Sequence, residues 1–226
     1  MKIKEILNLE GRPTLLEVAK EYRQTFLEAN PFPHIVLDNF INERLLAKCE
    51  QDFPDLAKID EAIRHSGRTD EKLASPRGDN VQTKHIKRLL KFLNSSIFVD
   101  FLQILTTIEE PLITDPHYIG GGLHQIRRGG FLKIHADYCK HPETKLDRRL
   151  NLLIYLNKNW EESYGGHLEL YDKDMNTCSQ KILPIFNRMV IFNTNDYTYH
   201  GHPDPLQCPP DRIRKSLALY YFSNGR

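Results

Sequence analysis

Apolar positions divide the chain into a helical first half and a β-rich second half. Over residues 14–29 apolar side chains recur at every third or fourth position, which predicts an amphipathic helix that ends before Pro31. Residues 31–40 then predict a short strand. Three later segments repeat the helical spacing: 45–53, 84–93 and 96–108.

Among these helices, residues 55–80 form a polar segment that contains Gly67, Pro76 and Gly78. Such a composition predicts a long, flexible surface loop. A loop of this length is either functional or merely loose, and the sequence leaves both alternatives open.

From residue 118 the pattern changes to short apolar runs separated by turn residues, which predicts β-strands. Several strands with short connections favour a barrel or sandwich such as a jelly roll. We therefore predict an α+β, mainly β fold, with a double-stranded β-helix (jelly-roll) core over residues 118–223. Helices from residues 1–117 would pack on one of its sheets, within a single domain, 1–226. The predicted strands lie near 123–127, 131–136, 149–156, 167–171, 180–183, 188–193 and 216–223.

The composition is that of a soluble globular protein, since 40% of the 226 residues are hydrophobic and 27% are charged. The net charge of +1 gives no electrostatic reason to expect nucleic acid or an anionic membrane as a partner. No apolar run has the length of a membrane span, and the N-terminal residues lack the apolar core of a signal peptide. We therefore expect a cytoplasmic location. The four cysteines form no C-x-x-C pair and are expected to be free thiols.

The stretch 129–137 carries the first candidate chemistry. Its glycines predict a tight bend into a strand, and His135 and Asp137 would emerge on the same face of that strand. An imidazole and a carboxylate are two of the three ligands in a common type of iron site. Because an H-x-D triplet is short enough to occur by chance, the prediction depends on a third ligand from elsewhere in the chain.

The segment after the predicted strand 188–193 supplies two candidates for that ligand, His200 and His202. A jelly roll can bring such a distant segment beside His135 and Asp137. Position alone does not separate the two histidines, and each could instead be a surface or structural residue.

Arg214 and Tyr155 form the second candidate pair. Arg214 stands at the mouth of the last apolar strand, and a guanidinium at the lip of an apolar barrel suits a carboxylate. Tyr155 lies inside another apolar run, and a buried phenol needs a hydrogen-bond partner. A ligand carboxylate held between the two residues would satisfy both.

Taken in this order, the residues resemble the iron(II)- and 2-oxoglutarate-dependent oxygenases, and more narrowly their prolyl-4-hydroxylase-like branch. The similarity extends over residues 118–222, about half of the chain. Its further signatures are Tyr155-Leu156-Asn157, Trp160, Gly165-Gly166 and the apolar strand ending in Phe192. The resemblance implies that the catalytic metal ligands are His135, Asp137 and His200.

The resemblance also implies the contacts of the cosubstrate and leaves His202 beside the ligands or without a role. Arg214, rather than Lys215, would bind 2-oxoglutarate with help from Tyr155. Ser216 completes an Arg-x-Ser arrangement that other branches use. A tyrosine present in some members is replaced near Gln125, which is a departure from the family pattern.

The implied function is a dioxygenase that hydroxylates an unactivated C–H bond while decarboxylating 2-oxoglutarate to succinate. The implied cofactors are Fe(II), 2-oxoglutarate as cosubstrate and dioxygen, with ascorbate as a stimulating reductant. The carboxylate of Asp137 favours hydroxylation over halogenation, because halogenating relatives lack a carboxylate at that position.

The substrate remains open among peptidyl proline, a free amino acid, a sugar and a natural-product intermediate. The polar segments 55–80 and 138–147 are expected to flank the mouth of the site and to contact the substrate. Two alternatives differ in class: a catalytically silent metal-binding jelly-roll sensor, and a jelly-roll isomerase or sugar-modifying enzyme. The first would bind metal without forming succinate, and the second would not need Arg214.

Overall fold

The computed structural model describes residues 2–226, which contain four α-helices and twelve strands. The helices are α1 (Leu15–Leu27), α2 (Glu43–Gln51), α3 (Lys84–Leu93) and α4 (Ser96–Thr106). The strands are β1 (His34–Asp38), β2 (Ile63–Ser66), β3 (Glu71–Ala74), β4 (Ile113–Thr114), β5 (Gly122–Arg127), β6 (Leu132–His135), β7 (Asp147–Tyr155), β8 (Leu168–Tyr171), β9 (Cys178–Ile182), β10 (Arg188–Asn193), β11 (His200–His202) and β12 (Ile213–Ser223).

The strands form two antiparallel sheets that face each other. The larger sheet has the order β1-β10-β7-β12-β5-β3-β2, with β4 paired to β12, and the smaller has the order β6-β11-β8-β9. Side chains from both sheets, among them Tyr155 and Phe192 from the larger and Leu168 and Leu170 from the smaller, pack together in one core. Two facing antiparallel sheets of this kind form the predicted jelly-roll core, so the fold-class prediction is confirmed.

Successive residues of β7 pack in two different hydrophobic cores, one on each face of the larger sheet. Leu152 and Ile154 join the large core that also contains the helices, whereas Tyr155 points into the space between the sheets. This alternation follows from the two-residue period of a strand, and it explains why a sheet covered on both sides reads as a nearly continuous apolar run. The helices therefore cover the outer face of the larger sheet, as predicted.

The four predicted helices are confirmed, with boundaries that differ by at most two residues. At the start of α1 the Thr14 hydroxyl accepts a hydrogen bond from the Glu17 amide (3.3 Å), and at the start of α2 the Asn42 side chain accepts one from the Leu45 amide (3.2 Å). These caps satisfy amide groups that have no partner within the helix. The left-handed residue Thr107 ends α4.

The prediction of a long loop over 55–80 is wrong for the middle of that segment. Strands β2 and β3 form a hairpin there, and β3 joins the larger sheet where Leu73 pairs with Gln125 and Ala74 with His124. Most residues of β2 are exposed, so their side chains show no apolar alternation that would predict a strand. The hairpin is stabilised by pairing with β5, which is distant in the sequence. The pattern of apolar and polar residues within 55–80 cannot show such pairing.

No single helix within residues 2–226 is long and apolar enough to cross a membrane. Helices α3 and α4 together reach that length and composition, but only as a pair bent by 50°. Their apolar side chains, including Leu90 and Phe101, are buried in the large core.

The aromatic cluster around Phe98 gives a direct test of the helix-side core. Phe98 is fully buried, and its ring centroid lies 5.2 Å from that of Phe101 and 6.5 Å from that of Tyr221. Phe98→Ala is expected to lower the free energy of unfolding by about 3–5 kcal/mol. The neighbouring Ile97 is 48% exposed, so Ile97→Ala should change it by less than about 0.5 kcal/mol. Urea unfolding followed by circular dichroism measures both, and equal effects would contradict this packing.

Candidate active site

The structure brings His135, Asp137 and His200 together between the two sheets. His135 is the last residue of β6 and His200 the first of β11, and they pair directly across these strands. Asp137 lies in the loop after β6, so its carboxylate reaches the histidines from beyond the strand end. Its Oδ1 is 3.7 Å from His135 Nε2, and its Oδ2 is 3.3 Å from His200 Nε2. Within residues 2–226 this is the one group of three or more His, Cys, Asp or Glu side chains whose potential ligand atoms all lie within 4.8 Å of one another.

Both imidazole rings are oriented by hydrogen bonds from their Nδ1 atoms. His135 Nδ1 donates to the Lys133 carbonyl (2.8 Å), and His200 Nδ1 donates to the Thr198 carbonyl (2.9 Å). This tautomer leaves a lone pair on each Nε2, next to the Asp137 carboxylate. Three acceptors that face one another need a cation, and two imidazoles with one carboxylate are a typical ligand set for non-haem iron(II). The residues present therefore fit iron(II).

Two residues of β7 hold the Asp137 carboxylate in place. Asn151 Nδ2 donates to Asp137 Oδ2 (2.6 Å), and Arg148 Nη2 lies 3.1 Å from the same oxygen. Arg148 is itself held, because its Nε donates to Asn151 Oδ1 (2.8 Å) and its guanidinium lies 3.4 Å above the centre of the Tyr220 ring. Sequence reasoning gave neither Arg148 nor Asn151 a role. The available signal was a polar residue, Asn151, at an inward position of an apolar strand.

The charges around Asp137 keep its side chain ionised. Burial by itself would raise the pKa of this carboxyl group, but the nearby Arg148 guanidinium and the ligand histidines outweigh burial. The pKa of Asp137 is therefore well below its usual range. The ionised carboxylate is the form that binds a metal ion.

Arg214 and Tyr155 lie close together in the same interior space, and both are buried. Arg214 Nε donates to the Gly166 carbonyl (2.9 Å), and its Nη2 is 3.5 Å from the Tyr155 hydroxyl. Within residues 2–226 no carboxylate pairs with this guanidinium, and burial lowers its pKa. A buried cation without a counter-ion is costly unless a ligand supplies one. This arrangement fits an anionic ligand.

Gly166 provides the room that Arg214 needs. A Cβ atom on Gly166 would lie 3.0 Å from Arg214 Cδ and 2.5 Å from a methyl group of Leu206, and the backbone has a φ of +73°. The glycine pair noted in the sequence is therefore part of the structure that positions Arg214.

Arg214 lies at the start of β12, as the sequence indicated. The strand begins at Ile213, so Arg214 is its second residue, and it is buried. Lys215 points to the opposite face, where its ammonium group pairs with Glu50 (3.2 Å). Gln125 also points away from the site, with its amide oxygen accepting from the Leu56 amide (2.8 Å). The residues of β5 on either side of it, His124 and Ile126, line the site instead.

His202 and Ser216 line the same cavity and are buried. His202 does not belong to the group of three ligating side chains, and neither of its ring nitrogens has a hydrogen-bond partner within residues 2–226. Burial and the nearby Arg214 hold its pKa well below its usual value. The geometry thus groups His200, the histidine that the family resemblance implied, with His135 and Asp137.

The cavity lined by His135, Asp137, His200 and Arg214 spans about 570 Å³, including the open space at its mouth. Apolar side chains, including Leu153, Leu168 and Phe192, form much of its wall, and the ring of Phe192 packs edge-on against His200. A larger cleft of about 1610 Å³ lies between residues 2–13 and 39–43. That cleft is remote from the ligating group, so size alone does not identify the site.

Comparisons with known proteins agree with this geometry. Residues 121–222 match the family model of the 2OG-Fe(II) oxygenase superfamily. The chain is also similar to the prolyl 3-hydroxylase OGFOD1 of Mus musculus, with 27% identity over 84 residues, or 35% of this chain. That alignment spans 15% of the mouse protein.

Solved structures share the fold at low sequence identity. A prolyl-4-hydroxylase of Pseudomonas putida has a TM-score of 0.64 and 13% identity, covering 91% of this chain and 99% of its own. A Trichoplax adhaerens prolyl hydroxylase, in complex with a hypoxia inducible factor peptide fragment, has a TM-score of 0.65 and 17% identity, covering 92% and 90%. The epimerase SnoN from nogalamycin biosynthesis has a TM-score of 0.62 and 12% identity, covering 92% and 82%.

The family match covers nearly all of the segment from β5 to β12, which carries His135, Asp137, His200 and Arg214. Over residues 121–222 the chain is therefore similar to the 2OG-Fe(II) oxygenase superfamily.

Proposed function

We propose that this protein is an iron(II)- and 2-oxoglutarate-dependent hydroxylase whose ligands are His135, Asp137 and His200. The observation that carries the proposal is the pairing of this ligand set with Arg214, a buried guanidinium that no carboxylate of residues 2–226 neutralises. A metal-binding sensor would need only the three metal ligands. An enzyme that uses a dicarboxylate cosubstrate needs the three ligands and also a cation such as Arg214.

Each side chain has a distinct task in this mechanism. The two imidazoles and Asp137 hold iron(II), while Asn151 and Arg148 keep the Asp137 carboxylate oriented. Arg214 and Tyr155 hold the distal carboxylate of 2-oxoglutarate. When bound, iron(II) and 2-oxoglutarate supply the activation of dioxygen for oxidation of a C–H bond, with succinate and carbon dioxide as products. The apolar wall excludes water from the reacting groups.

The substrate proposed first is a peptidyl proline. Two tyrosines stand at the loops around the site, Tyr138 with 88% and Tyr197 with 56% of its surface exposed. Their loops are joined by a hydrogen bond from the Cys139 thiol to Asp196. Exposed aromatic rings on loops that adjoin Asp137 and His200 in the chain suit an extended peptide, and the Trichoplax adhaerens neighbour was solved with a peptide fragment. A free amino acid or another small molecule is the competing substrate class.

Metal binding tests the ligand assignment. Asp137→Ala is expected to weaken Mn(II) binding by more than about 100-fold, and Asn151→Ala by about 10-fold, because partners of a ligand tune metal affinity by about 10–100-fold. Asp147→Ala is the matched control, since Asp147 pairs with Lys140 outside the site. Isothermal titration calorimetry measures all three. Wild-type affinity in Asp137→Ala would contradict the assignment.

Cosubstrate binding tests Arg214 separately. Losing one partner of a buried charge pair costs about 2–5 kcal/mol, so Arg214→Met should raise the Kd of 2-oxoglutarate at least about 30-fold. Lys215→Met is the control, because Lys215 faces Glu50 on the other side of the strand. The titration is done with Mn(II)-loaded protein, which does not turn over. If both variants bind 2-oxoglutarate equally well, Arg214 is not its partner.

Turnover tests the reaction itself. The protein is incubated with iron(II), ascorbate, 2-oxoglutarate and air, together with proline-containing peptides or a panel of small molecules. The expected result is succinate together with a product heavier by one oxygen atom, from a peptide rather than from free amino acids. A product from small molecules alone would reject the peptide assignment, and metal binding without any succinate would favour the sensor.

A further inference from the structure

The charged side chains that line the site are unbalanced. Lys72, Arg148 and Arg214 are basic, and Asp137 is the one acidic residue among the lining residues of the described chain. Iron(II) and the doubly charged 2-oxoglutarate would cancel each other, and Asp137 would cancel one guanidinium. The loaded site would therefore keep two uncompensated positive charges in a cavity with apolar walls, where their field is strong.

Lys72 is the cation whose position is least explained by the proposed function. It lies on β3, where its neighbour Leu73 pairs with Gln125, so Lys72 lies beside Ile126. Ile126 in turn pairs with Arg214 on the next strand. Adjacent strands are about 4.8 Å apart, so the backbones of Lys72 and Arg214 are about 10 Å apart in one row. Lys72 thus lines the same cavity as Arg214, two strands away from it.

The Lys72 ammonium group has neither an ion pair nor a hydrogen bond with any residue of the described chain, 2–226. The two carboxylates that influence it are engaged elsewhere: Asp70 lies 3.0 Å from His65 Nδ1, and Asp137 is held by Arg148 and Asn151. Burial lowers the pKa of Lys72, and the two carboxylates only partly oppose this effect. A half-buried ammonium group that has no partner in the protein is available to an anionic group of a ligand.

We propose that Lys72 binds an anionic group, such as a carboxylate, of the primary substrate, and so selects acidic substrates. This inference rests on the proposed function, because it takes Arg214 as the partner of 2-oxoglutarate. Arg148 is committed to Asp137 and to the ring of Tyr220, which leaves Lys72 as the free cation. The substrate would then carry an acidic side chain or a free carboxylate close to the carbon that is oxidised.

The experiment uses acetate as the probe and acetamide as its neutral match. Mn(II)-loaded protein is saturated with 2-oxoglutarate, and the relaxation of the probe's methyl protons by Mn(II) is measured by NMR. Acetate is expected to show saturable relaxation that acetamide lacks. Lys72→Met should weaken the apparent affinity for acetate about 10-fold, consistent with the loss of one charge-assisted contact. Lys72→Arg should retain acetate binding, and Lys20→Met, which alters an exposed lysine on α1, should not change it.

The controls distinguish the sources of the anion. Acetate relaxation that survives in Lys72→Met would show direct binding to the metal and would overturn the proposal. A Kd of 2-oxoglutarate that rises in Lys72→Met would assign Lys72 to the cosubstrate and would also overturn it. If wild-type protein binds neither Mn(II) nor 2-oxoglutarate, the proposed function itself fails and the Lys72 proposal fails with it.

Discussion

The pairing of β11 with β6 is the constraint on which the site depends. It places His200 directly opposite His135, although the two residues are far apart in the sequence. Gly201 makes the close approach possible, since a Cβ atom there would lie 2.7 Å from the Leu132 carbonyl oxygen. Strand β11 has three residues and is held on its other side by β8. The sheet therefore holds the two imidazoles in place before any ligand binds.

Buried charge determines how the rest of the cavity is organised. Asp137 is stable as a buried carboxylate because Asn151 and Arg148 are fixed beside it. Arg214 has only a carbonyl and a phenol as partners, so its charge is left for a ligand. Groups that are already oriented lose little freedom when a ligand binds, which is how a rigid fold favours a reaction. The side chains are thus already oriented to bind an anion near Arg214 and a metal ion near Asp137.

Much of this was predictable from the sequence, and the failures have physical causes. The predicted bounds of segments 84–93 and 188–193 match those of α3 and β10, because the apolar pattern of each is continuous and polar residues follow its end. The β2–β3 hairpin was missed because its exposed strands depend on pairing with β5. Position in the sequence alone did not separate His200 from His202, since both lie on one face of β11. The family resemblance implied His200, and the structure places the ring of His200 next to Asp137. No role was predicted for Arg148 and Asn151 because both lie on β7, whereas the carboxylate they contact belongs to Asp137 in the loop after β6.

The most direct test of the central claim is the visible absorption spectrum of the protein under nitrogen. When iron(II) and 2-oxoglutarate are both added, the account predicts a weak charge-transfer band that neither addition produces alone. Such a band requires the metal and the cosubstrate to share one site, as the positions of the three ligands and Arg214 imply. Absence of the band, in protein shown by calorimetry to bind iron(II), would contradict the account.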